Sequence, residues 1–305
     1  YDVAASSGGA LTVLNSFYEE FCKDTKNEYI FVLSVCKLKE QPHIKVLNFP
    51  WIKKSPLHRM YFDQVLAHKL VKKYHADKVL SLQNIELPHA GVPQIVYEHN
   101  ALPFSEYKFR PQEAFRPWYS QQILGRMMKR SIRRAEQVLV QTNWMKEEII
   151  RQCGIPADRV EVKFPPVKML KTHPWKMDET CPTFFYPAGP PAYKNHRTFL
   201  KACELLKEQG MEDYRVIWTV TGEENEGMKK LKAEAEEKKL PIEFIGPVPR
   251  TQLFEQYASS VLVFPSYIET IGLPLLEARS VGAPILAADC LYARDGVGGY
   301  EKAEF

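Results

Sequence analysis

Hydrophobic and polar positions come in short alternating blocks along this chain. Apolar runs of strand length, YIFVLSV at 29–35, HIKVLNF at 43–49, KVLSL at 78–82, QIVYE at 94–98 and QVLVQT at 137–142, are separated by stretches with helical pattern, such as 58–75 and 117–135. Runs of the first kind predict strands, and the others amphipathic helices. Before the first run, SSGGALTVLNSFYEEF reads as a glycine-rich turn entering a helix, and residues 1–5 as the remainder of a first strand, because the chain does not begin with Met. FPPVKMLKTHPWKMDETCP at 164–182 is rich in proline and has no sustained periodicity, which predicts a linker. Beyond it the alternation restarts with TFFYPAG, a helix near 195–209, YRVIWTVTG, a Glu/Lys-rich helix near 225–239, IEFIGPV, a helix near 250–258, SVLVFPS, a helix from about 274 and APILAAD. Strand and helix in alternation predict an α/β chain of two doubly wound parallel-sheet domains, 1–164 and 183–305, joined by a linker over 165–182. Ligands are then expected at the carboxyl ends of the strands and in the cleft between the halves.

Composition agrees with two domains: 305 residues with 45% hydrophobic content exceed the ~100–200 residues of one domain. No apolar run approaches the ~18 residues of a spanning helix. The six cysteines form no C-x-x-C pair, no N-x-[ST] acceptor occurs, and YDVAASS resembles no signal peptide. A reducing cytoplasm is the expected location. Charge changes the picture more. Residues 1–165 carry 24 Lys and Arg against 17 Asp and Glu, and residues 166–305 carry 17 against 20, so the basic character lies in the first half. The helix RMMKRSIRRAEQ at 126–137 adds five cations with Met127, Met128 and Ile132 interleaved, which fits either a solvated face or an anionic membrane surface.

Chemistry concentrates in SYIETIGLPLLEA at 266–278. Pro274 suits a first helical turn, Gly272 permits close backbone approach, and N–H groups around 271–275 would make an anion site, with Glu277 one turn in. The alternative is that Glu277 only complements the helix dipole and Glu269 is a solvated loop acid.

The segment PSYIETIGLPLLEARSVGAPILAAD resembles the E-x7-E motif of family 4 glycosyltransferases, of the group 1 type that builds bacterial polysaccharide and lipopolysaccharide. The resemblance implies the GT-B fold, two Rossmann-like domains facing a central cleft, the first for the acceptor and the second for a nucleotide sugar. It also implies that Glu269 contacts the donor sugar's hydroxyls, Glu277 the ribose, and the backbone of Thr270, Ile271, Gly272 and Leu273 the diphosphate and sugar. Val248, in IGPVPRTQLFEQYASS, falls in the segment that backs the nucleobase. PAGPPAYKNHRTFLKACELL is similar to the family's strand, loop and helix start, which places Gly189 at the donor and Lys194 on its phosphates. Where the family carries an arginine after that glycine, this chain has Pro190 and Pro191, so Arg197 or another residue is needed as a second cation. SSGGALTVL resembles the Gly-Gly turn facing the cleft, with Gly9 near donor or acceptor, and IVYEHNALPF puts His99 where some relatives touch the donor sugar. Lys194 and His99 also have ordinary readings, as a solvated lysine and a hydrogen-bonded histidine.

No D-x-D pair and no G-x-G-x-x-G occur, so neither a metal-bound diphosphate nor a dinucleotide cofactor is expected. The function implied is metal-independent, retaining transfer of a sugar from a UDP- or GDP-sugar to a glycan or lipid-linked acceptor. Glu269, Lys194 and His99 would be catalytic, no cofactor is required, and nucleic acid is not a partner. The site would be cytoplasmic, with contact to the inner face of the membrane left open. A nucleotide-sugar epimerase or hydrolase of the same fold, or a silent sugar-nucleotide-binding subunit, remains as an alternative. Relatives continue into helices that cross back to the first domain, whereas this chain ends at EKAEF.

Overall fold

The computed structural model describes all residues except 7, 166–168 and 178–179, so the expected linker lies partly outside the described residues. The chain forms two compact units, Tyr1–Phe104 with Phe115–Pro166, and Ser105–Ala114 with Val167–Phe305. Half of the expected linker is built into the second unit: Trp175 donates from its indole to Ser260 O at 2.8 Å, and its N–H bonds Val281 O.

Unit 1 contains strands β1 (Tyr29–Leu33), β2 (Ile44–Asn48), β3 (Val79–Ser81), β4 (Gln94–Glu98), β5 (Gln137–Val140) and β6 (Val160–Val162), and all their pairings are parallel. β1 pairs β2, and β3 to β6 pair in sequence order. The first residues join the two groups, since Asp2 N–H bonds Val32 O at 3.0 Å while Tyr1 O accepts from Leu82 N–H. The remainder of a strand expected there is thus an extended bridge between β1 and β3. Its helices are α1 (Gly8–Phe21), α2 (Pro56–Tyr61), α3 (Ala67–Lys73), α4 (Phe115–Tyr119), α5 (Gly125–Arg134) and α6 (Asn143–Cys153). Single π-helical turns, Phe62–Leu66 and Ser120–Leu124, join α2 to α3 and α4 to α5. Gly8 and Gly9 form the first turn of α1, not a separate turn before it.

Unit 2 contains β7 (Thr183–Tyr186), β8 (Arg215–Trp218), β9 (Ile242–Phe244), β10 (Val261–Phe264), β11 (Ile285–Ala287) and β12 (Ala303–Glu304), in the order β12-β11-β10-β7-β8-β9. All are parallel, and the crossovers are α7 (His196–Glu208), α8 (Glu226–Glu237), α9 (Arg250–Ser259), α10 (Leu273–Val281) and α11 (Leu291–Val297). Burial on both faces explains the uninterrupted apolar strands TFFY and VLVF. The core between β7, β8 and α7 is aromatic, with Tyr186, Phe199, Trp218 and Phe264 in edge or tilted contact around His196. Strand order reverses between β7 and β10, which makes the carboxyl ends of these two strands the topological switch point of the sheet.

Candidate functional site

The loop after β7 turns through one 3₁₀ turn, Ala192–Lys194, into Asn195, which is left-handed at φ 57. The Asn195 side chain holds this loop to the one leaving β10: Nδ2 donates to Pro265 O at 3.1 Å, and Oδ1 accepts from Thr198 Oγ1 at 2.9 Å. Tyr267 N–H adds a bond to Tyr193 O at 2.8 Å. The two loops are thereby fixed side by side at the switch point, and Lys194 Nζ forms an ion pair with Glu269 Oε1. Ser266 Oγ donates to the same carboxylate oxygen at 2.7 Å. Both charged side chains stay reachable, at 18% and 16% exposure, so neither is a solvated surface group nor sealed in the core. Burial, followed by the Glu269 charge, raises the phenol pKa of Tyr186, Tyr193 and Tyr292, so these hydroxyls remain protonated donors.

Beyond Glu269 the backbone is positioned by Gly272. Its φ is +70, and a Cβ there would lie 3.0 Å from Leu275 Cδ1 and 3.2 Å from the Tyr292 ring. The positive φ disfavours any side chain, and a Cβ would crowd both neighbours. Of the donors expected around 271–275, Pro274 has no N–H and Leu275 N–H closes onto Gly272 O at 2.9 Å. Among the described residues, those of Ile271, Gly272 and Leu273 remain at the start of α10. Thr270 is half-buried beside them.

Glu277 is buried on α10, where its Oε1 accepts from Arg250 at 2.7 Å and its Oε2 from the Tyr257 hydroxyl at 2.9 Å. This is more than dipole complementation: the carboxylate is oriented from both sides by α9. Arg250 was not among the expected site residues, and its guanidinium also lies over the Phe254 ring at 5.7 Å. The only sequence signal for it was its place two residues after Val248, which is half-buried on the loop leaving β9. Gly189 is exposed. Arg197, one candidate for a second cation near Lys194, pairs in this structure with Glu234 on α8.

In unit 1, His99 follows β4. Its N–H donates to Asn84 Oδ1 at 2.7 Å, its ring stands edge-on to Tyr97, and burial lowers its pKa to about 4. The preceding Glu98 is wholly buried. Asn100 N–H donates to its Oε1 at 2.9 Å while Oε2 has no partner, and burial raises its pKa well above the carboxylate range. His99 is therefore neutral at pH 7, and burial favours the protonated form of Glu98. Gly9 is exposed, with open space where a Cβ would stand.

The sequence model of Glycosyltransferase Family 4 matches residues 7–168, and that of Glycosyl transferases group 1 matches residues 172–303. The chain belongs to glycosyltransferase family 4. O-antigen chain mannosyltransferase B of Escherichia coli is 25% identical over 240 residues, 73% of this chain and 60% of that protein. D-inositol 3-phosphate glycosyltransferase of Kribbella flavida is 36% identical over 94 residues, 28% of this chain and 22% of that protein. The family 4 chain thus spans less than two thirds of either of these relatives. The apo lipopolysaccharide outer core galactosyltransferase WaaB superposes with a TM-score of 0.65 at 18% identity, covering 95% of this chain and 79% of that one. A complex of Anabaena HepE with UDP and glucose gives 0.59 at 17% identity, covering 96% and 80%. Likeness at this level establishes the fold: the family 4 chain is GT-B, built from two Rossmann-like units.

Proposed function

We propose that this family 4 chain transfers a sugar from a nucleoside diphosphate sugar to a glycan or lipid-linked acceptor, with retention and without metal. The observation that carries the reading is the Lys194–Glu269 pair at the unit 2 switch point, beside the start of α10. Unit 2 takes the donor and unit 1 the acceptor, with Gly9 and His99 facing it. The donor's phosphates replace Glu269 as the partner of Lys194, and Glu269 then accepts from hydroxyls of the sugar. Val248 backs the base, and Glu277, held by Arg250 and Tyr257, accepts from the ribose hydroxyls. Gly189 and the backbone from Thr270 to Leu273 line the diphosphate and sugar.

As the sugar–phosphate bond breaks, its electron pair goes to the leaving phosphate oxygen. Lys194 and the N–H groups of Ile271, Gly272 and Leu273 meet that charge without reorganisation. The acceptor oxygen bonds to the anomeric carbon on the face the phosphate leaves, and its proton passes to the phosphate. The name of the mannosyltransferase relative supports a surface-polysaccharide acceptor, and the UDP complex of HepE supports a uridine donor.

The test is incubation with UDP- and GDP-sugars, with and without lipid-linked saccharide, in EDTA. Acceptor-dependent release of nucleoside diphosphate that Lys194→Ala lowers supports the reading. Epimerised donor, binding without turnover, or activity that needs added Mg²⁺ or Mn²⁺ overturns it.

A further inference from the structure

The chain leaves unit 1 after Phe104 and returns to it at Phe115, and the residues between, SEYKFRPQEA, belong to unit 2. None of them lies in a helix or strand. The excursion is shaped by its own side chains instead. The Glu113 carboxylate accepts from the Tyr107 hydroxyl and, at 3.4 Å, from Arg110 N–H, while Glu113 N–H closes onto Arg110 O at 3.1 Å. Ser105 Oγ donates to Tyr107 O at 3.1 Å, and the buried Phe109 ring stands edge-on to Tyr107 at 4.9 Å. A compact loop filled by its own side chains holds one shape without a sheet or helix to support it.

That shape presents a ring face of Tyr107 to the loop leaving β10. Tyr107 lies flat on Tyr267, with centroids 4.6 Å apart and planes 8° from parallel, the offset contact that aromatic pairs favour. Tyr267 stands where this loop is pinned. Its N–H donates to Tyr193 O at 2.8 Å, next to Lys194, and the preceding Ser266 donates from Oγ to the Glu269 carboxylate at 2.7 Å. The excursion therefore leans on the short stretch that carries the acid and is bonded to the loop that carries the lysine. Tyr107 is half-buried and its hydroxyl is engaged by Glu113, so what it offers this stretch is its ring.

We infer that Tyr107 is a positioning residue for Glu269: its ring, held flat by the excursion, fixes Tyr267 and through it the aim of the Glu269 carboxylate. Aim matters, because a displacement of about 1 Å in a group that meets the reacting centre costs up to about 100-fold in rate. The inference rests on the proposed role of Glu269 at the donor sugar, and its test therefore includes one measurement that needs no reaction.

That measurement is amide hydrogen exchange on the whole protein. In Tyr107→Ala, peptides covering 266–272 exchange at least about fivefold faster than in wild type, while those covering β7 and α8 do not change. Tyr107→Phe keeps the ring and the slow exchange. In turnover, Tyr107→Ala lowers kcat about tenfold or more, and Tyr107→Phe stays within about twofold of wild type. A residue that acts through Glu269 has nothing left to act on once that carboxylate is gone, so in a Glu269→Ala background Tyr107→Ala costs nothing further. Additive losses in the double variant overturn the inference. So does unchanged exchange at 266–272, or a rise spread over all of unit 2, which would mark Tyr107 as general packing. If no nucleotide sugar is turned over by the wild type, the transfer reading fails, and the exchange measurement still decides whether Tyr107 holds the loop.

Discussion

The two units are wound alike, yet they place opposite chemistry at the carboxyl edges of their sheets. After β7 and β10, unit 2 sets Lys194 and Glu269 in partial contact with solvent, and the pair keeps both ionised forms compensated. After β4, unit 1 sets Glu98 and His99 in surroundings that neutralise them, the acid pushed up and the base pushed down by burial. The proposed reaction puts the diphosphate at the unit 2 edge because an ion pair there can be exchanged for it.

The largest expected effect tests the charged edge. Lys194→Ala removes a charge-assisted contact that strengthens as the bond to phosphate breaks, which costs on the order of 2–4 kcal/mol and lowers kcat by about 30- to 1000-fold. Because Arg197 is engaged by Glu234, no neighbouring cation offsets the loss. Turnover within about twofold of wild type would erase the contrast between the edges.

On one count the units are expected to behave alike. His196 of unit 2 is buried against Tyr186 and Trp218, and burial followed by the Lys194 charge lowers its pKa to about 4, as burial does for His99. Above pH 6.5 each imidazole is neutral folded and unfolded, so neither affects stability. Between 6.5 and about 4 the unfolded chain binds a proton that the folded one refuses, and stability falls with pH at ~1.4 kcal/mol per unit for each histidine. Denaturant titrations at pH 7, 6 and 5 measure the slope. His99→Gln should remove one proton's share from unit 1 alone; an unchanged slope would show that His99 takes up its proton without unfolding.

A smaller effect separates two acids within unit 2. Glu277 is held in one orientation by Arg250 and Tyr257, so in the proposed reaction it would meet the ribose equally before and during bond breaking. Glu277→Ala and, more weakly, Arg250→Ala should raise donor KM roughly tenfold with kcat kept, whereas Glu269→Ala lowers kcat as well. Equal losses in kcat for all three would merge the roles.

Much of this was legible in the chain because strand and helix periods are strong where elements are long. The runs at 29–35, 94–98 and 261–264 became β1, β4 and β10, and SYIETIGLPLLEA became the loop and helix start at the switch point. β6 and β12 were not predicted, because neither VEV nor AE stands in an apolar run like those that mark the equally short β3, β9 and β11. Arg250 escaped because only sheet order brings α9 beside α10, 27 residues on. Glu98 ended a strand-like run and nothing in QIVYE showed that its carboxyl is enclosed.

That enclosure carries the last and smallest prediction. Glu98 keeps its proton when folded because burial raises its pKa, with one hydrogen bond from Asn100 and Oε2 unpartnered. Unfolded, it ionises near 4.5, so above that pH the unfolded chain gives up a proton that the folded chain retains. Stability therefore declines as pH rises from 4.5, opposite in direction to the two histidines. Glu98→Gln keeps the neutral shape and removes the titration. It should be nearly neutral at pH 4.5 and should raise the melting temperature at pH 8. Transfer should persist, since Glu98 is sealed away from solvent. A variant that melts lower at pH 8 would mean that the folded carboxylate is ionised.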